Sequence, residues 1–411
     1  MIWVRRLKII LPRYRTDCST NSFLDGIFKM LKSYLKYVIL FLTLIIFYGC
    51  TPSSIKLGTK KGLASYNMFG KNGARDFTLP VTVGHNILLK WESEINGSFP
   101  NSSVTTYDNY VFINDLSGRV YCFDATDGKV IGALKHDGAV YTTPVIDGNN
   151  IIFAAAEGDN NLSLLYYYNF LTGKMLFEKE IPGRIMTEMI KTEQGLYFNT
   201  ENGMLFCYNL SGEKIWEFNT KARTHSSPAL GNNIIVFGND NGEIVGIRAK
   251  DGKLLYKEKT GEAFFCGASI DGNTIYIGND NGNLYAIDLM TGKIIWQFDT
   301  GSRIAMTPAF NLTHVIIGNL KGELFSIDKL TGNLHWRTNT RGVLSASPLL
   351  TENMIILPDL NEAYHFVDLK KGEILNTYLI EGRGKLTPVI FNEVLYIGYD
   401  NGIVRAYEFT D

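Results

Sequence analysis

Gly282-Asn283-Leu284-Tyr285-Ala286-Ile287-Asp288-Leu289-Met290-Thr291-Gly292-Lys293-Ile294-Ile295-Trp296 decides the fold of this chain. Two runs rich in β-branched and aromatic residues flank a Thr-Gly pair, and neither sustains a helical period. They therefore predict two antiparallel strands joined by a tight turn. Upstream, Cys266–Ser269 and Thr274–Gly278 have the same character and are bounded by Asp271-Gly272-Asn273 and Asn279-Asp280-Asn281-Gly282. The unit is thus four short strands punctuated by turn chemistry. Asn-Gly pairs such as Asn241-Gly242, Asn281-Gly282 and Asn401-Gly402 predict two-residue hairpins in which both residues take positive φ. In the Thr-Gly turn, Asp288 or Asp328 is placed to accept bonds from turn amides.

Working outward, the unit repeats. A glycine preceded by Thr, Asp, Ser or Lys recurs at 128, 173, 212, 252, 292, 332 and 372, with gaps of 45, 39, 40, 40, 40 and 40. Gly203, Gly242, Gly282, Gly322 and Gly402 keep the same phase, and Glu362 fills the one empty slot. Pro228, Pro308, Pro348 and Pro388 form a third series, with Ser269 near the missing member. A fixed period with four strands in each copy identifies a repeat architecture. The repeats predict the blades of a β-propeller, because an open parallel solenoid would have shorter rungs. Four residues after the Thr-Gly glycines, Trp216, Trp296 and Trp336 mark outer strands, where a large ring buries area against the next blade.

Closure leaves its own trace. The chain ends on Ile403-Val404-Arg405-Ala406-Tyr407, a third strand with no fourth, while Ile87-Leu88-Leu89-Lys90-Trp91-Glu92 looks like an outer strand with no Thr-Gly before it. Pairing the two gives an all-β ring of eight four-stranded antiparallel blades over residues 84–411, the last blade built from both ends.

The 411 residues carry a net charge of −1. Residues 1–49 hold 8 Lys/Arg and 2 Asp/Glu, so the remainder has 32 basic against 39 acidic groups. That balance offers no global attraction to nucleic acid. Val38–Phe47 is an apolar run preceded by Lys32 and Lys36, the length of a signal-peptide core and short for a membrane span. Residues 1–49 are therefore expected to be a leader, with Met30 a possible true start, and residues 50–83 a tether. Phe47-Tyr48-Gly49-Cys50 resembles a bacterial lipobox, although leucine is usual where Phe47 stands. The resemblance implies lipidation of Cys50; an ordinary secretory signal or an uncleaved anchor is the alternative. Thr51, where an aspartate would favour inner-membrane retention, implies the periplasmic face of the outer membrane. Cys122, Cys207 and Cys266 lie in different repeats and are expected to be buried free thiols.

The unit at 282–296 resembles the pyrroloquinoline-quinone-type propeller repeat, and Asn67-Met68-Phe69-Gly70 through Arg75 is similar to the lead-in that precedes such rings. Two groups share the repeat: quinoprotein dehydrogenases, and non-enzymatic lipoproteins similar to BamB. Chain length, eight blades and the lipobox favour the second, and the repeat's name does not imply its cofactor. The resemblance implies a non-catalytic periplasmic scaffold without a cofactor. Its partners would be a BamA-like barrel-assembly protein or unfolded outer-membrane proteins. A quinoprotein-type dehydrogenase and a ligand-sensing or adhesion propeller remain the alternatives. In BamB-like proteins an arginine five positions before the Ser/Ala-Pro of one inter-blade loop helps hold the BamA partner. Arg223 occupies that position. Flanking leucine contacts would fall near Lys221 and Ala222, and acidic contacts around Phe264–Cys266, and neither matches.

Read from the residues, Arg223, Arg303 and Arg383 each stand five before a proline, at intervals of 80, with Arg184 and Arg341 in neighbouring loops. A ring would set them around one mouth of its channel, where guanidinium groups suit carboxylate-bearing or extended peptide partners. The alternative is that each neutralises a nearby acid. Glu188 and His225 are candidates for acid/base chemistry, or structural hydrogen-bonding groups if they do not converge. Asn-Asp-Asn-Gly at 239–242 and 279–282 lacks the glutamate of a calcium loop. No nucleophile elbow or phosphate loop is present.

Overall fold

The structure, a computed structural model, describes residues 52–58 and 64–410. The leader and Cys50 lie outside the described residues. Among these, the regular elements are strands, and they group into eight sheets. In the repeat that anchors the sequence argument the strands are Ser269–Asp271, Thr274–Gly278, Asn283–Asp288 and Ile294–Asp299, ordered from the inner to the outer edge. We number the blades 1 to 8 from the one beginning at Thr105, so this is blade 5. Each inner strand descends from an upper face to a lower one. The upper face carries the hairpins between second and third strands and the loops into the next blade. The lower face carries the other two turns of each blade.

Blade 8 closes the ring as its unpaired strand required. Asn86–Glu94 pairs antiparallel with Ile403–Thr410, with Trp91 opposite Ala406 and Asn86 opposite Thr410. The eight backbone pairs of this seam join residues more than three hundred positions apart, so closure costs loop entropy that only the complete ring offsets.

Tryptophan and glycine share a phase because one sits on the other. Trp216, Trp296 and Trp336 lie on Gly252, Gly332 and Gly372 of the following blade, and Trp91 lies on Gly128 across the seam. A Cβ at Gly332 would come within 2.8 Å of the Trp296 ring, and φ there is 72°. Glycine meets both demands at once. Each ring also donates its Nε1–H to a lower-face carbonyl of that blade: Ala249 at 3.0 Å, Lys329 at 2.8 Å, Leu369 at 3.2 Å and, from Trp91, Ala125 at 3.0 Å.

Blade 1 has a glycine in the ring's place, and Pro52–Gly58 packs where the ring would lie. Gly132 pairs with Cys122 as Trp296 pairs with Ala286, so it holds the tryptophan position of blade 1. Ile55, fully buried, and the stem of Lys56, which lies on Gly173 as the rings lie on theirs, fill the slot. Pro52 accepts from Ala133 N–H at 2.9 Å, Tyr168 donates its hydroxyl to Ile55 O at 2.8 Å, and Leu57 and Gly58 donate N–H groups to Phe170 and Leu171. A Cβ on Gly132 would collide with the Ser54 carbonyl oxygen.

Two expectations change. Residues 64–83, expected to belong to a tether, pack against the ring, because Tyr66, Met68, Phe69 and Phe77 have apolar area to bury. Ala64–Tyr66 adds a fifth strand inside blade 1, and the stretch then runs along the inner edges of the other blades. Its carbonyls at Asn67, Gly73, Ala74 and Phe77 accept from Ile146, Leu230, Ile270 and Leu350 N–H. The second change concerns the Asn-Gly hairpins. Asn401 (φ 81°) and Gly402 (φ 75°) both take positive φ, but at 241–242 and 281–282 only the glycine does. There Gly282 N–H returns to Asn279 O at 3.2 Å, closing a turn that ends in a left-handed glycine. Asn239 and Asn279 drive the difference, since each Oδ1 also accepts the N–H of the residue after the glycine. The Thr-Gly turns form as expected, with Thr291 donating N–H and hydroxyl to Asp288 Oδ1 at 2.8 and 2.7 Å.

Candidate functional site

The repeat places one residue, two positions ahead of each inner strand, around the axis. The equivalent positions are Ser103, Thr143, Glu188, Ser227, Gly267, Thr307, Ser347 and Thr387. Six of the eight are small hydroxyl residues, and they clasp their neighbours: Ser103 N–H donates to Thr143 Oγ1 at 2.9 Å, Glu188 N–H to Ser227 Oγ at 3.1 Å, and Thr307 N–H to Ser347 Oγ at 3.2 Å. Blade 3 alone supplies a carboxylate. Glu188 Oε2 accepts Thr143 N–H and its Oε1 accepts the Thr143 hydroxyl, both at 2.9 Å.

Below this ring the lead-in closes the axis. Arg75 is fully buried and spends its guanidinium on carbonyl oxygens: Nε to Pro228 at 3.0 Å, Nη1 to Phe69 at 2.8 Å, and Nη2 to Glu188 and Met189 at 3.0 and 3.3 Å. Burial pushes the Glu188 carboxyl up to about 7, with the Arg75 charge opposing, and burial lowers Arg75 to about 10. Both shifts run toward the neutral forms, so desolvation outweighs the mutual attraction of the pair. Above them a blind well of about 310 Å³ opens on the upper face, floored by Phe69 and walled by Phe99, Tyr141, Met186 and Phe265.

Around the mouth, Arg184, Arg223, Arg303 and Arg383 hold one equivalent position, four residues before the axial residue of blades 3, 4, 6 and 8. Each meets a carboxylate on an upper hairpin. Arg184 lies 2.6 Å and Arg223 3.6 Å from Glu201, and Arg383 lies 2.6 Å from Asp400, which Lys385 also approaches at 3.3 Å. Arg303 pairs with Asp280 and stacks over Phe265. Their side chains remain 29, 62, 44 and 58% exposed in the order 184, 223, 303, 383, so donors stay free beyond these pairs. Arg341 is offset by two residues, takes φ 66° and is outside this set.

Glu188 and His225 do not converge on one reacting atom. His225 Nδ1 faces both oxygens of Asp240 at 3.0 and 3.1 Å, while Glu188 is engaged by Thr143. No group of three His, Cys, Asp or Glu side chains assembles for a metal among the described residues. Cys122, Cys207 and Cys266 are buried free thiols, and burial raises all three. Sequence reasoning missed Arg75 and Phe69 as the stopper of the axis. Their place in the lead-in was the available signal.

The sequence profile described as outer membrane protein assembly factor BamB matches residues 89–298, 256–318 and 280–411. The chain belongs to the BamB family. A BamB family relative, the outer membrane protein assembly factor of Yersinia pestis, is 22% identical over 165 residues, which span 36% of this chain and 41% of that protein. BamB from Moraxella catarrhalis superposes with a TM-score of 0.68 at 15% identity, covering 79% of this chain and all of that one. The quinohemoprotein alcohol dehydrogenase of Comamonas testosteroni superposes with a TM-score of 0.69 at 11% identity, over 83% of this chain and 80% of that one. At such identities the superpositions establish the shared ring and nothing about chemistry. A BamB-like propeller supports a protein-binding scaffold.

Proposed function

We propose that the chain is a non-catalytic scaffold, held by lipid on Cys50 at the periplasmic face of the outer membrane, which binds protein partners of β-barrel assembly through its upper face. The observation that carries this is the set of four arginines at one repeat position around the well, three exposed and Arg184 partly so. Paired on one side with Glu201, Asp280 and Asp400, they are held in place yet keep N–H donors pointing outward. Such preorganised forks bind carboxylates and main-chain carbonyls at low entropic cost. Membership of the BamB family supports a barrel-assembly partner.

The test is crosslinking in intact cells with Arg223→Glu, Arg303→Glu and Arg383→Glu combined. Exposed pairs are worth about 0–1 kcal/mol each, so the ring survives the change. Recovery of barrel-assembly proteins should fall by an order of magnitude while the melting temperature holds. Undiminished recovery refutes the assignment of the upper face.

A further inference from the structure

The exposed apolar side chains are segregated. Among the described residues, every large apolar side chain classed as exposed except Leu379 lies in the lower half of the ring. One group follows the lower turns at the start of the outer strands, as in Met175-Leu176, Leu254-Leu255 and Ile294-Ile295. Leu312 at 95%, Leu330 at 86% and Met290 at 54% stand at turn tips of blades 5 and 6. Single exposed leucines are ordinary on any protein; confinement to one face is not. Beside these tips runs a groove of about 650 Å³ whose walls include Leu79, Pro80, Phe310 and Leu369.

The front of the chain reaches the same face on the opposite side of the ring. Pro52–Gly58 is fixed at the lower outer edge of blades 1 and 2 by its bonds to Ala133, Phe170 and Leu171. Thr51 alone separates Cys50 from Pro52, a reach of at most ~7 Å.

We propose that the lower face seats flat on a lipid bilayer, with the arginine-bearing upper face turned away from it. This rests on the lipid-anchor reading above. An acyl group on Cys50 enters the membrane beside blades 1 and 2, and the tips of Met290, Leu312 and Leu330 lie across the ring. Both are buried together only when the face lies parallel to the surface. Lys250, Lys253, Lys293 and Lys370 alternate with the apolar tips, a mixture that suits the headgroup boundary, where long cationic side chains extend their ends to water. Asp251, Glu373 and Glu352 share the face, so apolar insertion drives seating and salt leaves it unchanged.

The experiment uses the chain purified with its own anchor and reconstituted in phosphatidylcholine vesicles whose headgroups carry a nitroxide quencher. A fluorophore is placed through Asn273→Cys on the lower face or Asn241→Cys on an upper hairpin. Several-fold stronger quenching at 273 than at 241 is expected, and lost when Met290→Glu, Leu312→Glu and Leu330→Glu are combined while the protein still floats with the vesicles. Flotation with equal or reversed quenching overturns the seating and leaves the anchor standing. Failure to float overturns the anchor reading and the seating with it. A lower label that is silent on vesicles but shielded in cells overturns the lipid assignment in favour of a protein.

Discussion

Replacing Gly132 with tryptophan should change sign according to whether Pro52–Gly58 is present. In a chain beginning after Gly58, the slot between blades 1 and 2 is open, and the new ring has the environment of Trp296, which is 9% exposed and donates to Lys329 O at 2.8 Å. Burying such a ring is worth about 2–3 kcal/mol, and its hydrogen bond adds about 1 kcal/mol. In the full chain the Cβ meets the Ser54 carbonyl and the ring meets Ile55, an overpacking that costs roughly 1–3 kcal/mol. Unfolding entropy near 2.1 cal/mol/K per residue makes a ring of this size shift by about 1 °C for each 0.7 kcal/mol. Tryptophan should therefore raise the melting temperature of the shortened chain by about 4–6 °C and lower that of the full chain by about 1–4 °C. Differential scanning calorimetry of the four proteins decides the matter. The same sign in both backgrounds refutes the claim that Ile55–Leu57 occupies a tryptophan's place.

Glu362 holds φ 70° where six of the other repeats have glycine, so Glu362→Gly should stabilise by about 0.5–1 kcal/mol, read as a higher urea midpoint with unchanged slope. Glu188 has a folded pKa near 7, above its unfolded value near 4.5, because burial disfavours its charge. Its folded state is thus favoured at low pH and loses stability as pH rises from about 4.5 through 7. Glu188→Gln should be more stable than the parent above pH 7 and converge with it near pH 4.5 in unfolding titrations. Arg75→Met should cost roughly 3–5 kcal/mol, because four carbonyl oxygens lose their donor and Glu188 loses its counter-charge. A melting temperature within a degree of the parent would show that the stopper is dispensable.

Much of the ring was legible because a propeller is nearly one-dimensional. Each blade touches the next at a fixed offset, so Trp296 and Gly332 recur in step and their phase discloses the contact. The seam was legible for the same reason, since Trp91 without a Thr-Gly turn and Tyr407 without a following strand are halves of one repeat. The arginines at 184, 223, 303 and 383 inherit their common height from that period. Their carboxylates did not show, because Arg184 and Arg383 pair with Glu201 and Asp400 on a hairpin ahead of them in the chain while Arg303 pairs with Asp280 on a hairpin behind it, a choice that side-chain direction decides and the repeat period does not.

The sequence by itself determined the blade, the count of eight and the closing strand, since each follows from local turn chemistry and a repeated nearest-neighbour contact. Only the tertiary structure decided what stops the axis and what fills the tryptophan-less slot. Arg75 finds three of its four carbonyl partners 113 to 153 residues away and Ile55 finds Tyr168 113 residues away. A segment that occurs once has no second copy to reveal its phase, and its place is settled by whichever cavity in the finished ring leaves carbonyls and apolar walls without a partner.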